Sequence, residues 1–369
     1  APQPSAPPAA EARSSKGPAP ASAIAPRPMR VAKIVRETAD AVSVVLEDPS
    51  GAPVPFAAGQ FFTLHVRIGD EILKRAYSAS SSPLDAQRVA VTVKRVRDGR
   101  VSRHIVGHLH EGDVIEVLGP SGSFTPAPSR EPRLLVLVGG GSGITPLASI
   151  AHTLLASEPG TRIALVYGNH GLDDVIFRAA LDELAARHAG SPPRFQVRHV
   201  LQEPPASWSG GTGLLDGAAL GRELEALGDP EVASAEYFLC GPAPMMAAAR
   251  AALEGRGVPS ARIHEERFVS AHAASPATGA AQDVTLRMRD GERRIVVPVG
   301  RTVLETALDA GVDMPFSCAI GGCGTCRVKL AAGSVVMDEP NCLSAGERSQ
   351  GYVLACVSRP TSPCTIEVP

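Results

Sequence analysis

Cys318, Cys323 and Cys326 fall in the run Cys318-Ala319-Ile320-Gly321-Gly322-Cys323-Gly324-Thr325-Cys326, and Cys356 lies further on. The pattern is C-x4-C-x2-C with a distant fourth thiol, the spacing of a 2Fe–2S centre. Thiolates that converge on a small anionic cluster need a tightly wrapped loop. Gly321, Gly322 and Gly324 let that backbone take positive φ and bring N–H groups close to sulfur. Zinc is the alternative, but zinc knuckles use paired C-x2-C at both ends, and here the second half is a lone cysteine.

A second constellation is Gly139-Gly140-Gly141-Ser142-Gly143-Ile144-Thr145-Pro146, between an apolar strand and a helical stretch. Glycines there let a pyrophosphate touch the backbone, and a helix N-terminus offers free N–H groups. Thr145 is expected to cap the helix, with Pro146 in its first turn. Pro146 occupies the last glycine position of G-x-G-x-x-G, so a ligand-free tight turn is a competing reading. Upstream, Lys74-Arg75-Ala76-Tyr77-Ser78 reads as a strand, with Arg75 and Tyr77 on one side and Ser78 on the other. Arg75 could hold a phosphate, Tyr77 stack on an isoalloxazine and Ser78 hydrogen-bond to it; a plain edge strand is the alternative. Gly99-Arg100-Val101-Ser102 opens a helix whose N-terminus could take a second pyrophosphate.

These motifs need scaffolds. Residues 1–28 are Ala, Pro and Ser with few charges, an expected disordered extension. Residues 29–128 carry short β-branched runs at Val31–Val35, Val42–Leu46, Phe61–Val66, Val89–Val96 and Val114–Leu118, with one helical stretch at Ser102–Leu109. Gly and Pro punctuate them, so an antiparallel β-barrel is expected. Residues 129–270 alternate strands and helices, the signature of a parallel α/β sheet. Residues 271–282 have linker composition. Residues 283–369 hold two strand candidates, a helix over Thr302–Ala310 and the cysteine loop, which suits a small β-grasp domain.

The chain has 369 residues, 44% apolar, 4% aromatic, with net charge −2. That balance argues against nucleic acid or an anionic membrane as partner. No 18-residue apolar run predicts a membrane span. No signal pattern opens the chain, and seven cysteines, four assigned to iron, suit a reducing cytoplasm. The histidines show no metal pairing, and Cys342 and Cys364 are expected to be bystanders, less fixed in place than Cys356.

In order and content the motifs resemble the ferredoxin-NADP reductase superfamily. Arg75-x-Tyr77-Ser78, Gly99-x-x-Ser102, Gly139–Pro146 and Cys240-Gly241-Pro242 carry the resemblance, with Gly59-Gln60-Phe61 upstream. With its C-terminal 2Fe–2S ferredoxin domain the chain is similar to the reductase components of phenylacetyl-CoA oxygenase and 3-ketosteroid 9α-hydroxylase. The resemblance implies that Arg75, Ala76, Tyr77 and Ser78 bind flavin, and that Gly99, Val101 and Ser102 bind its pyrophosphate. It implies a nicotinamide dinucleotide on Gly139, Gly140, Gly141, Ser142, Gly143, Ile144, Thr145 and Pro146. Cys240, Gly241 and Pro242 would lie near the nicotinamide, making Tyr77, Ser78 and Cys240 the residues closest to the chemistry. Ile263–Phe268 resembles the family's Glu-x-Phe closing pattern, and a plain closing strand is an equal reading. Phthalate dioxygenase reductase shares the domain order with FMN, but the turn at Gly99–Ser102 favours FAD.

The expected function is electron transfer from NAD(P)H through FAD to the cluster, then to an oxygenase, hydroxylase or desaturase. A monomer is expected. A quinone or other metalloprotein acceptor, or a non-enzymatic cluster or zinc sensor, are the alternatives. Asp173 and Asp174, beyond the strand Ile163–Tyr167, would repel a 2′-phosphate and favour NADH; His170 and Arg178 argue the other way.

Overall fold

The computed structural model describes residues 26–228, 230–268, 280–316, 318–339 and 341–369. Most of the expected extension and linker, residues 1–25 and 271–279, lies outside the described residues. What is described begins slightly earlier than expected: the first strand already contains Arg27 and Pro28.

The first unit comprises β1 (Arg27–Thr38), β2 (Ala41–Glu47), β3 (Phe61–Ile68), β4 (Glu71–Ser78), β5 (Arg88–Lys94), α1 (Arg100–His108) and β6 (Val114–Ser121). The strands pair antiparallel in the order β4-β3-β6-β1-β2-β5. An antiparallel bridge from Ala79 to Val91 brings the two ends together, so the sheet closes as a barrel. Alternation fills its inside: Phe62, Leu64 and Val66 of β3 join Val42, Val44, Val89 and Val91 in one core.

The second unit runs β7 (Arg133–Gly140), α2 (Ile144–Ser157), β8 (Thr161–Asn169), α3 (Arg178–Arg187), β9 (Phe195–Leu201), β10 (Gly211–Thr212), α4 (Gly217–Leu227), β11 (Glu236–Cys240), α5 (Ala243–Gly255) and β12 (Ile263–Glu266). Its sheet is parallel in the order β10-β9-β8-β7-β11-β12. The unbroken apolar run of β7 follows from helices on both faces. Leu135 and Leu137 pack with α2 and α3, while Leu134, Val136 and Val138 pack with α4 and α5.

The third unit comprises β13 (Gln282–Met288), β14 (Gly291–Val297), α6 (Val303–Asp309), β15 (Arg327–Ala332), β16 (Val335–Met337), α7 (Ala345–Ser349), β17 (Tyr352–Leu354), β18 (Ser358–Pro360) and β19 (Cys364–Glu367). Five strands form a mixed sheet, β14-β13-β19-β15-β17, under α6. Thr302 and Glu305 cap α6 reciprocally, at 3.2 and 3.1 Å. Cys364 is not a loose terminal residue: it pairs in parallel with Val284 and is buried in the core.

Polar ties join the first two units. Ser149 donates to the Ser81 carbonyl at 2.6 Å, and Thr153 to Ser82 at 3.0 Å. Glu37 accepts from Ser43 at 2.5 Å and from the Phe177 N–H. Burial raises its pKa against the pull of those two bonds.

Candidate functional site

A cleft touches all three units. Phe61, Arg75, Ala76 and Ser78 line it from the barrel; Glu266, Arg267 and Phe268 from the end of β12; Ile320 and Gly322 from the cysteine loop. Strand pairing explains the barrel wall. Phe61 lies opposite Ser78 and Thr63 opposite Ala76, so these side chains share one face. Ser78 is buried, and its hydroxyl has no hydrogen-bond partner among the described residues. Tyr77 turns to the other face, packs against the barrel core, and burial raises its pKa, keeping the phenol neutral. Among the described residues the Arg75 guanidinium makes one bond, to the Lys74 carbonyl at 2.7 Å, which leaves its other N–H groups for a ligand.

The turn before α1 is built as a cradle. Ser102 accepts from the Val96 N–H at 3.1 Å and donates to the Gly99 carbonyl at 3.4 Å, so its hydroxyl shapes the loop. A Cβ at Gly99 would collide with that hydroxyl at 2.5 Å. Val101 is buried, and no side chain caps the helix N-terminus. Those free N–H groups fit a phosphate.

The glycine turn after β7 behaves likewise, with one correction. Helix α2 begins at Ile144, and Thr145 lies inside it, donating to the Ser142 carbonyl at 3.0 Å rather than capping. Pro146 does stand in the first turn, and no side chain caps α2. Gly143 lies against the Cys240 carbonyl so closely that any Cβ would overlap it. A Cβ on Gly140 would meet Met245 at 2.6 Å and Pro242 at 2.8 Å, and one on Gly241 would meet the Gly140 nitrogen at 3.0 Å. The two turns thus interlock, and Gly139–Pro146 and Cys240–Pro242 form one surface at the C-terminal ends of β7 and β11, where open parallel sheets take ligands. Cys240 is fully buried; burial first, then the Glu266 carboxylate, raises its pKa, so it is not a thiolate nucleophile.

Glu266 links the two halves of the site. Its pKa is raised to about 7, mainly by burial and further by the Cys323 thiolate. Ile263–Glu266 is a closing strand, and Glu266, Arg267 and Phe268 also line the cleft. Its closeness to Cys323 had no signal in the sequence, because the two lie on different units.

The four loop cysteines come together as two pairs. Cys326 and Cys356 share a hydrogen bond at 3.1 Å, and Cys318 bonds to Cys323. The bond from Cys318 lowers Cys323 to about 5, and the bond from Cys356 lowers Cys326; Cys318 and Cys356 are raised by the same bonds. The Gly321 N–H donates to the Cys356 sulfur at 3.2 Å. Two pairs of sulfurs, all buried but that of the half-buried Cys323, and an N–H aimed at one of them fit a 2Fe–2S centre. Cys342 is half-buried beside this loop, its N–H bonded to the Gly321 carbonyl at 3.0 Å.

Asp174 also departs from expectation. It accepts from the Gly171 N–H at 3.1 Å and faces Lys94 of the barrel at 4.0 Å, so it closes a turn and joins two units. Asp173 stays exposed, and His170 pairs with Glu203 at 3.4 Å.

Domain families described as "Oxidoreductase FAD-binding domain", "Oxidoreductase NAD-binding domain" and "2Fe-2S iron-sulfur cluster binding domain" match residues 29–125, 137–251 and 287–361. The ferredoxin reductase component of 3-ketosteroid-9-alpha-monooxygenase from Mycolicibacterium smegmatis is 38% identical, the match covering 90% of this chain and 94% of that protein. A component of 1,2-phenylacetyl-CoA epoxidase from Escherichia coli is 34% identical, again over 90% of this chain and 94% of that protein. Among solved structures, phthalate dioxygenase reductase superposes with a TM-score of 0.61 at 27% identity, covering 92% of this chain and 97% of that one. The chain belongs to the family of reductase components of oxygenase systems: an oxidoreductase with FAD-binding, NAD-binding and 2Fe–2S domains that carries electrons from a nicotinamide nucleotide to iron. Among the described residues, no helix is long and apolar enough to cross a membrane.

Proposed function

Starting from that membership, we propose that this chain is the NADH-driven reductase of an oxygenase, hydroxylase or desaturase component. The observation that carries the reading is the cleft where the Arg75–Ser78 strand, the end of β12 and the cysteine loop meet. When bound, the flavin takes an electron pair as hydride and releases electrons singly to iron, chemistry no side chain supplies. The protein's part is placement. Arg75, Ala76 and Ser78 hold the flavin ring, with the Ser78 hydroxyl as a hydrogen-bonding group, and Tyr77 anchors the strand from the barrel side. Gly99, Val101 and Ser102 shape the turn that receives its pyrophosphate. Gly139–Pro146 receive the dinucleotide, and Cys240–Pro242 set the depth of the nicotinamide. Cys318, Cys323, Cys326 and Cys356 ligate the iron, while Cys342 and Cys364 do not.

NADH is favoured because Asp173 and Glu203 are exposed carboxylates beyond β8 and β9, on the side where a 2′-phosphate would need a cation. A higher kcat/KM with NADPH would reverse that assignment. Seven free thiols suit the cytoplasm, and the chain is read as working alone, as a monomer.

The test is Cys356→Ser. The variant should lose the cluster and NADH–cytochrome c reduction but keep FAD and NADH–ferricyanide reduction. Cys342→Ser and Cys364→Ser should keep all four. Full cytochrome c reduction by Cys356→Ser would contradict the route through iron.

A further inference from the structure

Thr63 is fully buried on β3, on the face it shares with Phe61 and opposite Ala76 of the flavin strand. Its hydroxyl donates to the Cys318 carbonyl at 3.2 Å, across a sequence separation of 255 residues. Among the described residues, no other side-chain hydrogen bond joins the barrel to the third unit. Around it Phe61, Cys318 and Ile320 are buried together, with Ala76 and Cys323 against them. Apolar contact is non-directional and lets surfaces slide. A buried hydroxyl with one acceptor fixes register, because losing that partner leaves two polar groups unsatisfied. The bonded carbonyl belongs to the peptide that leads into Ala319, whose φ is 54°, unfavourable for a residue with a Cβ. Such a conformation persists only where neighbours hold it.

We propose that Thr63 is a positioning residue for electron transfer: its hydroxyl locks the first cysteine of the cluster loop against the flavin-binding strand. The inference rests on the reductase reading above. Val matches Thr in shape, and alternation would accept it here; the hydroxyl is what Thr63 adds.

The experiment compares Thr63→Val, Thr63→Ala and Thr63→Ser in the full chain carrying FAD and cluster. Amide hydrogen exchange across residues 318–326 should rise about fivefold in Thr63→Val and Thr63→Ala, the equivalent of about 1 kcal/mol for one hydrogen bond. Thr63→Ser should match the wild type. NADH–ferricyanide reduction should be unchanged in all three, while NADH–cytochrome c reduction falls with the exchange change and is restored in Thr63→Ser. Wild-type exchange and wild-type cytochrome c rates in Thr63→Val overturn the proposal. So does loss of FAD or cluster in both Val and Ala variants, which would make the role one of folding. If the wild type itself lacks flavin, iron or NADH-driven ferricyanide reduction, the reductase reading has failed instead.

Discussion

Two glycine-rich turns bound this site, and the main demand on glycine differs between them. At Gly139–Gly143 the requirement is mostly space, Gly141 being the one left-handed position, at φ 52°. Gly143 and Gly140 press against Cys240, Pro242 and Met245, and Gly143 needs no left-handed backbone. In the cysteine loop the requirement is mostly conformation: Gly321 and Gly324 have φ of 75° and 73°, although a Cβ on Gly321 would also press on Val357 at 3.2 Å. A Cβ on Gly324 would meet only the Cys342 sulfur, at an ordinary 3.5 Å. The thiols divide too. Those of the loop bond to one another, and Cys323 falls to about 5. Cys318 and Cys356, the other halves of those pairs, move up, as does Cys240, which is fully buried and has no thiol partner among the described residues. Among these five thiols the two that move down, Cys323 and Cys326, each have a partner thiol bonded to them.

The largest expected effect separates the two turns. Gly143→Ala must displace the Cys240 carbonyl, so NADH–ferricyanide reduction should fall about 100-fold, the scale of a misplacement near 1 Å. FAD and cluster absorption should persist; loss of the cluster would show that the turns are not independent.

Arg75→Ala should weaken FAD binding roughly 10- to 100-fold, from charge-assisted bonds worth about 1.5–3 kcal/mol. Flavin titration of FAD-stripped protein reads this, and unchanged affinity removes Arg75 from the site. Gly324→Ala should cost about 1 kcal/mol of backbone strain and lower the melting temperature while iron content holds. A clear loss of iron would mean that Gly324 serves space as well as conformation.

The smallest effect concerns Cys240. Folding raises its pKa, so the folded chain holds this proton more tightly than the unfolded one. Stability should therefore decline as pH rises past the ordinary thiol value of about 8.5. Cys240→Ala should flatten part of that decline in melting temperature between pH 8 and 10. Iodoacetamide should leave Cys240 unlabelled in the native protein at pH 8.5, and ready labelling would contradict its burial.

What could be read from the sequence was whatever is local. The cysteine spacing carries its ligands in one short run, and the apolar run of β7 shows burial on both faces without any knowledge of its neighbours. What could not be read depends on distant partners. Cys364 looked terminal because its strand pairs in parallel with Val284, at the far end of the unit. Asp174 looked free because Lys94 lies on another sheet. Thr145 fits a capping position by type, but α2 starts a residue earlier and its hydroxyl turns to Ser142. Thr63 has no signature at all, since a threonine in a strand is ordinary until Cys318 is placed against it.

An anaerobic NADH titration of the purified full chain, followed by visible absorption with iron and flavin assayed beforehand, tests the path from nucleotide through flavin to iron most directly. About two irons and one FAD per chain are expected, with flavin and cluster absorbance both bleached by NADH. In Cys356→Ser only the flavin band should be present and bleach. A chain with zinc in place of iron, or a cluster that stays oxidised while the flavin bleaches, would contradict the path from nucleotide through flavin to iron.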